Sequence, residues 1–200
     1  VDTPYTWKAT WFSYANGDDL RARCANIPDH WEVRLIYNGN YAEQVRTYHM
    51  IADGVGGVDV TARATPKNYG SLTSFTTADL LAPWRWERSE TRLEAKARAR
   101  LTDRLAASGV FEQGPAGIDL KSWGSYWISI ACREGEVTFN AWAYPSERWQ
   151  QQNLRGIVAA LDDTRVPFYG PKAPDFADAP VHQRRSERSP ALFLLTTGEN

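Results

Sequence analysis

The chain has 200 residues, 42% of them hydrophobic and 12% aromatic, enough for one domain that buries a sizeable core without external staples. Its 23 basic and 24 acidic residues leave a formal net charge of −1, so no global field draws in DNA, RNA or an anionic membrane surface. The longest apolar run, Ala191 to Leu195, is five residues, far short of the roughly 18 to 20 that a membrane-spanning helix needs.

The first residue is Val1, and Asp2-Thr3-Pro4 reads as an exposed leader, a start expected where a secretion signal has been removed. That predicts a periplasmic or secreted protein. In an oxidising compartment an even pair of cysteines bridges, so Cys24 and Cys132 are expected to form a disulfide. Eighteen of the basic residues are Arg, which favours bidentate pairing with carboxylates and stacking on aromatic rings.

From Trp31 to Tyr37 the sequence alternates, with Trp31, Val33, Leu35 and Tyr37 on one face and Glu32, Arg34 and Ile36 on the other, the pattern of a half-buried strand. Asn38-Gly39-Asn40 is a turn signal, and alternation resumes from Glu43 to Ile51 through Val45, Thr47 and His49. Asp53-Gly54-Val55-Gly56-Gly57 makes a second turn before Val58, Val60 and Ala62, which completes a predicted three-stranded meander. It lacks the following helix and Lys of a phosphate-binding loop.

Thr76 to Leu81 predicts a short helix stopped by Pro83, and Trp84 and Trp86 flank Arg85. A longer helix is expected from Thr91, which forms a capping box with Glu94, to Ser108-Gly109, with Leu93, Ala97, Leu101 and Leu105 on one side. Trp123 to Cys132 and Val137 to Tyr144 form a second hairpin turned by Arg133-Glu134-Gly135-Glu136, in which Tyr126, Ile128, Ile130 and Cys132 are expected to face that helix. Pro145 ends the hairpin. Ser146 caps a second helix whose Leu154, Ile157, Val158 and Leu161 share one side. From Val166 to Pro190 the composition suits an extended strap, and Leu192 to Leu195 predicts an edge strand.

This order predicts an α+β fold, an antiparallel sheet of two meander or hairpin units with two helices packed on it. The organisation expected is one α+β domain over residues 1–170 and an extended C-terminal strap with a possible edge strand over 171–200.

The Arg-bearing first strand, the Asp53 to Gly57 turn, the Leu-rich helix ending in Ser108-Gly109-Val110-Phe111, and the following Trp and aromatic strands together resemble a widespread group of uncharacterised bacterial proteins, many with secretion signals. The likeness covers about residues 31–149. Strands of that group carry a Trp-x-x-Glu element and a Tyr-His pair where this chain has Trp127-Ile128-Ser129-Ile130 and Phe139-Asn140. The resemblance implies fold and secretion, and no activity.

Chemistry is sparsely signalled. The histidines, His30, His49 and His182, have no second ligand at metal spacing, so no metal site and no cofactor are expected. His49 with Asp53, and Ser125 or Ser129 as nucleophile, sketches a triad without a GxSxG elbow to support it. The acidic pairs Asp18-Asp19, Asp162-Asp163 and Glu134 with Glu136 suit turns and helix ends, since a glycosidase needs carboxyls facing each other roughly 5 to 9 Å apart. The aromatic residues carry the stronger signal, because Trp and Tyr presented with Arg are typical of recognition surfaces. Trp84, Arg85, Trp86, Trp127, Trp142 and Tyr144 are therefore the candidate binding residues. The sequence predicts a non-enzymatic binding protein of inhibitor or immunity type, with a protein or envelope component as partner; an envelope-directed hydrolase using His49 as general base, with Asp53, is the alternative.

Overall fold

A computed structural model describes residues 14–26, 31–40, 43–54, 56–65, 86–174 and 194–198. The expected helix over 76–81, the residues Trp84, Arg85, His30 and His182, and the stretch 175–190 of the expected strap lie outside them.

The fold is mixed α+β. Helix α1 (Asp18–Cys24) precedes strands β1 (Trp31–Gly39), β2 (Val45–Ala52), β3 (Val58–Ala64) and β4 (Glu87–Leu93), then helix α2 (Ala95–Ala107). Strands β5 (Asp119–Lys121), β6 (Ser125–Arg133) and β7 (Glu136–Ala143) follow, then the short helices α3 (Glu147–Gln151) and α4 (Leu154–Val158), and last β8 (Leu194–Thr196). Six strands form one sheet in the order β4-β3-β2-β1-β6-β7, antiparallel throughout, and β5 pairs with β8 in a separate two-stranded sheet.

The predicted meander is present as β1, β2 and β3. Its second turn closes with Asp53 N donating to Gly57 O, Gly57 N donating to Asp53 Oδ1 at 2.7 Å, and Gly56 at φ +102°, a conformation glycine adopts at no steric cost. The β6–β7 turn uses Glu134 and Gly135, both at positive φ, which matches the right-handed twist of the flanking strands.

Helix α2 begins later than expected. Thr91 lies in β4 opposite Val60, and Glu94 is the N-cap without a side-chain cap bond, so pairing with β3 has overridden the capping-box pattern. The helix predicted after Ser146 is two short ones; Ser146 Oγ accepts from Trp149 N at 3.1 Å, and Leu154, Ile157, Val158 and Leu161 are all buried.

The sheet carries a hydrophobic cluster on each face. On the first, Trp31, Val33, Leu35, Tyr37, Tyr48, Met50, Val60, Trp127 and Trp142 pack with Leu101 and Leu105 of α2 and Leu154, Ile157 and Val158 of α4. On the second, Ile36, Tyr126, Ile128, Ile130, Cys132 and Ala141 pack with Leu20 and Cys24 of α1 and with Leu120 of β5. Two expectations are corrected here. β1 is buried on both faces rather than half-buried, because α1 covers the second face. The residues of β6 that face α2 are Trp127 and Ala131, whereas the Tyr126, Ile128, Ile130, Cys132 set faces α1; the sheet is sandwiched, so both sets are apolar.

The expected disulfide is present. Cys24 and Cys132 are bonded with their Cα atoms 5.7 Å apart, which fastens the end of α1 to the end of β6 on the second face.

Candidate functional site

The second face holds a connected set of charges that begins in α1. Gly17, at φ +76°, brings the chain into α1 so close to the sheet that a Cβ there would stand 2.6 Å from Ile130 Cγ2. That approach sets Asp19 and Arg23, one turn apart, above β1. Arg34, 2% exposed, donates to Asp19 Oδ1 at 2.8 Å, to Asp19 Oδ2 at 2.6 Å and to Tyr14 O at 2.8 Å, and its guanidinium lies 3.8 Å from the centre of the Tyr14 ring. Arg23 donates to Asp19 Oδ2 at 3.0 Å and to both carboxylate oxygens of Glu32. Glu32 Oε1 lies 2.5 Å from His49 Nε2.

The chain Arg34, Asp19, Arg23, Glu32, His49 thus alternates in charge up to an imidazole at the border of the buried and exposed halves of the face. Hydrogen bonding to Arg34 dominates at Asp19 and, with Arg23, holds its carboxyl well below the usual range despite burial. Burial pushes Glu32 up, but hydrogen bonds from His49 and Arg23 outweigh it and hold the carboxyl at about 2. Arg23 is pushed up by its bond to Glu32.

Beyond His49 the face opens. The sheet register runs Arg34, His49, Thr61, Glu90 across β1 to β4, with Thr61 directly beside His49. Around this row lie exposed Asp59, Arg63, Arg88 and Arg92, and Ile51 stands 39% exposed among them. Arg92 pairs with Asp59 at 2.7 Å and with Asp53, and Arg88 pairs with Glu90.

The first face holds a second, buried polar group. Arg46 and Asp162 form an ion pair with side chains 1% and 7% exposed. Asp162 also accepts from Tyr48 Oη at 2.6 Å, from Thr164 N at 3.0 Å and from Thr164 Oγ1 at 2.6 Å. Arg46 further donates to Gln44 Oε1 and Val166 O, and stacks on Phe168. The group ties residues 162–168 to β2.

Comparison with protein-family models, with curated proteins and with solved structures returned no match. The site is therefore read from its own residues.

Of the expected binding residues, Trp127 and Trp142 are core: they are 0% and 3% exposed, so neither presents a ring to a partner. Both fall on the face covered by α2 and α4, where Trp127 packs its ring against Tyr37 at 4.9 Å. Tyr144 is half-buried against Trp149 at 5.4 Å, and Trp86 is half-buried against the second cluster. Trp84 and Arg85 lie outside the described residues.

The His49 and Asp53 pairing is likewise redrawn. The carboxylate at His49 is Glu32, while Asp53 holds Gly57 N and Arg92 at the β2–β3 turn. Ser129 pairs with Leu35 on the first face and is fully buried, so it cannot meet His49, which points from the second. Asp19 and Asp162 lie on opposite faces of the sheet and face arginines rather than each other. Among the described residues no group of three or more His, Cys, Asp and Glu side chains is placed to hold a metal ion.

Sequence reasoning missed Asp19, Arg23, Glu32 and Arg34. A signal was available: WEVRLIY sets Glu32 and Arg34 between large apolar residues, and charges flanked in that way need partners when the strand is central.

Proposed function

We propose that this chain is a non-enzymatic, secreted or periplasmic binding protein, and that its contact surface is the open charged half of the second face, formed by β2, β3 and β4. The observation that carries the reading is a sheet face left to solvent, on which Arg63 and Arg88 lie on one side of the His49, Thr61, Glu90 row and Asp59, Arg92 and the exposed Ile51 on the other. Arg is enriched in protein-binding patches, and an exposed large apolar side chain such as Ile51 beside it adds apolar contact area. The surface differs from the aromatic one expected from sequence; Trp86, half-buried just before β4, lies at its edge, whereas Tyr144 follows β7 at the opposite edge of the sheet. A disulfide supports an oxidising compartment. Among the described residues no helix is long and apolar enough to cross a membrane.

The partner is a protein or cell-envelope component with complementary charge. The test is retention of envelope-extract components on the immobilised protein, compared with Arg63→Glu/Arg88→Glu and Ile51→Asp variants. A component held by the native chain, weakened by salt and lost from both variants at unchanged melting temperature, supports the reading. Equal retention by all three refutes it.

The 2.5 Å contact of His49 with Glu32 favours a second reading, since a carboxylate that orients an imidazole is also the arrangement of a general base. An envelope-directed hydrolase would show turnover of envelope polymer that His49→Gln abolishes while partner retention persists.

A further inference from the structure

A cavity of about 300 Å³ opens on the second face, away from His49, between the start of α1, the β6–β7 hairpin and the β5–β8 pair. Its apolar wall is Leu120, Ile128, Phe139 and Leu195, of which Leu120 and Ile128 are buried and form part of the core. Asn16, Arg21, Gln113, Thr196 and Thr197 form the polar wall. Arg21 is the one charged side chain among the described residues that line the cavity. Its Nε donates to Asn16 O at 3.3 Å, and among the described residues no carboxylate pairs with it, unlike Arg23, Arg34, Arg46 and Arg92.

The geometry points to a binding site for a small amphiphilic monocarboxylate, with its carboxylate on the Arg21 guanidinium and its apolar body against Leu120, Ile128, Phe139 and Leu195. A planar guanidinium recognises a carboxylate through two parallel hydrogen bonds, and fixing Nε on the Asn16 carbonyl aims the fork before the ligand arrives. An uncharged lining elsewhere makes a second charge on the ligand unfavourable, which excludes dicarboxylates and polyphosphates. Size sets the rest. At about 30 Å³ for each water-sized group, the cavity accommodates about ten such groups, the size of a medium-chain fatty acid or an aryl-alkanoic acid. It lies at the low end of the roughly 300 to 1,000 Å³ typical of ligand pockets. Two features build the site rather than leave it to chance. Gly17 draws α1 onto Ile130, and the Cys24 to Cys132 bond holds it there, so Asn16 and Arg21 are fixed relative to the hairpin. This inference stands apart from the proposed contact surface.

Titration calorimetry of the full chain tests it with octanoate, 1-octanol and acetate as probes. Octanoate is expected to bind, octanol at least tenfold more weakly, and acetate not detectably. Arg21→Gln should weaken octanoate at least tenfold and leave octanol unchanged, while Arg21→Lys should recover part of the loss, with circular dichroism and urea midpoints of both variants matching the native chain. Equal affinity for octanoate and octanol, unchanged octanoate affinity in Arg21→Gln, or no octanoate binding overturns the proposal. 3-Phenylpropionate distinguishes a ring from a chain as the apolar body, and its binding in the same Arg21-dependent manner supports the same site.

Discussion

Removing the charge of Asp162 while keeping its shape tests whether the buried group on the first face holds residues 162–168 to the sheet. Asp162→Asn leaves the Arg46 guanidinium, 1% exposed, without a counter-charge. Breaking a buried pair in this way costs about 3 to 5 kcal/mol, since the surviving charge remains desolvated. With a urea m-value of about 2 kcal/mol per molar, the denaturation midpoint should fall by about 2 M. Arg46→Met/Asp162→Leu removes both charges, so it should cost less than either single substitution, and the double-mutant cycle should show coupling. Acid titrates the same interaction. Burial pushes the Asp162 carboxyl up, but bonds from Thr164 and Tyr48, together with Arg46, hold it below its ordinary value. Its folded value is thus below its unfolded one, so its stabilisation is complete above the ordinary carboxylate range and is lost as pH falls through and below it. Urea midpoints for the native chain and Asp162→Asn should therefore converge on acidification from neutral pH. An Asp162→Asn midpoint within about 0.3 M of the native one, or strict additivity in the cycle, would show that the pair contributes no net stability and would refute the reasoning.

Three further outcomes follow from the packing. Ile130→Ala and Trp142→Ala should both destabilise as core truncations, by about 2 to 5 and 3 to 5 kcal/mol, and a Trp142→Ala chain of native stability in chemical denaturation would return that ring to the surface. Thiol titration of the denatured, unreduced protein should find no free cysteine, and Cys24→Ser/Cys132→Ser should lower stability by about 4 to 5 kcal/mol, the loop-closure value for a separation of 108 residues. Gly17→Ala combines a contact 2.6 Å from Ile130 with a left-handed backbone, so it should cost about 1 to 3 kcal/mol in thermal unfolding, and a neutral result would mean α1 shifts freely.

β1, β2, β3, β6 and β7 were legible in the sequence through period-two alternation, but the same alternation did not reveal that β1 and β6 are buried on both faces. β4 was not. Its Arg88, Glu90 and Arg92 alternate with Ser89, Thr91 and Leu93, so both sides are largely polar and the pattern is invisible to a hydrophobic criterion, while Thr91 and Glu94 imitate a helix start. The candidate site was less legible still. His49 was singled out, but its partner Glu32 stands 17 positions away and meets it only through strand register, and the fixing Arg23 comes from a helix with too few apolar residues to announce itself. The aromatic surface misled because alternation assigns a residue to a face without saying whether that face is covered. Trp127 and Trp142 are cross-strand partners under the same helices, a placement that only the tertiary layers decide.

The layering also sets an order of events during synthesis. Of the segments packed over the second face, α1 is made early, whereas β8 follows it by some 170 residues. A nascent chain that has not reached Cys132 lacks both the bonding partner of Cys24 and the β6 partner of β1, so its first strands wait with one edge unpaired and a reactive thiol exposed. The same chain before residue 194 still has no strand to lay beside Leu120. Pairing of β1 with β6 and of β5 with β8 therefore waits on segments made later, and the interval before Cys132 emerges is when mispairing with another chain competes.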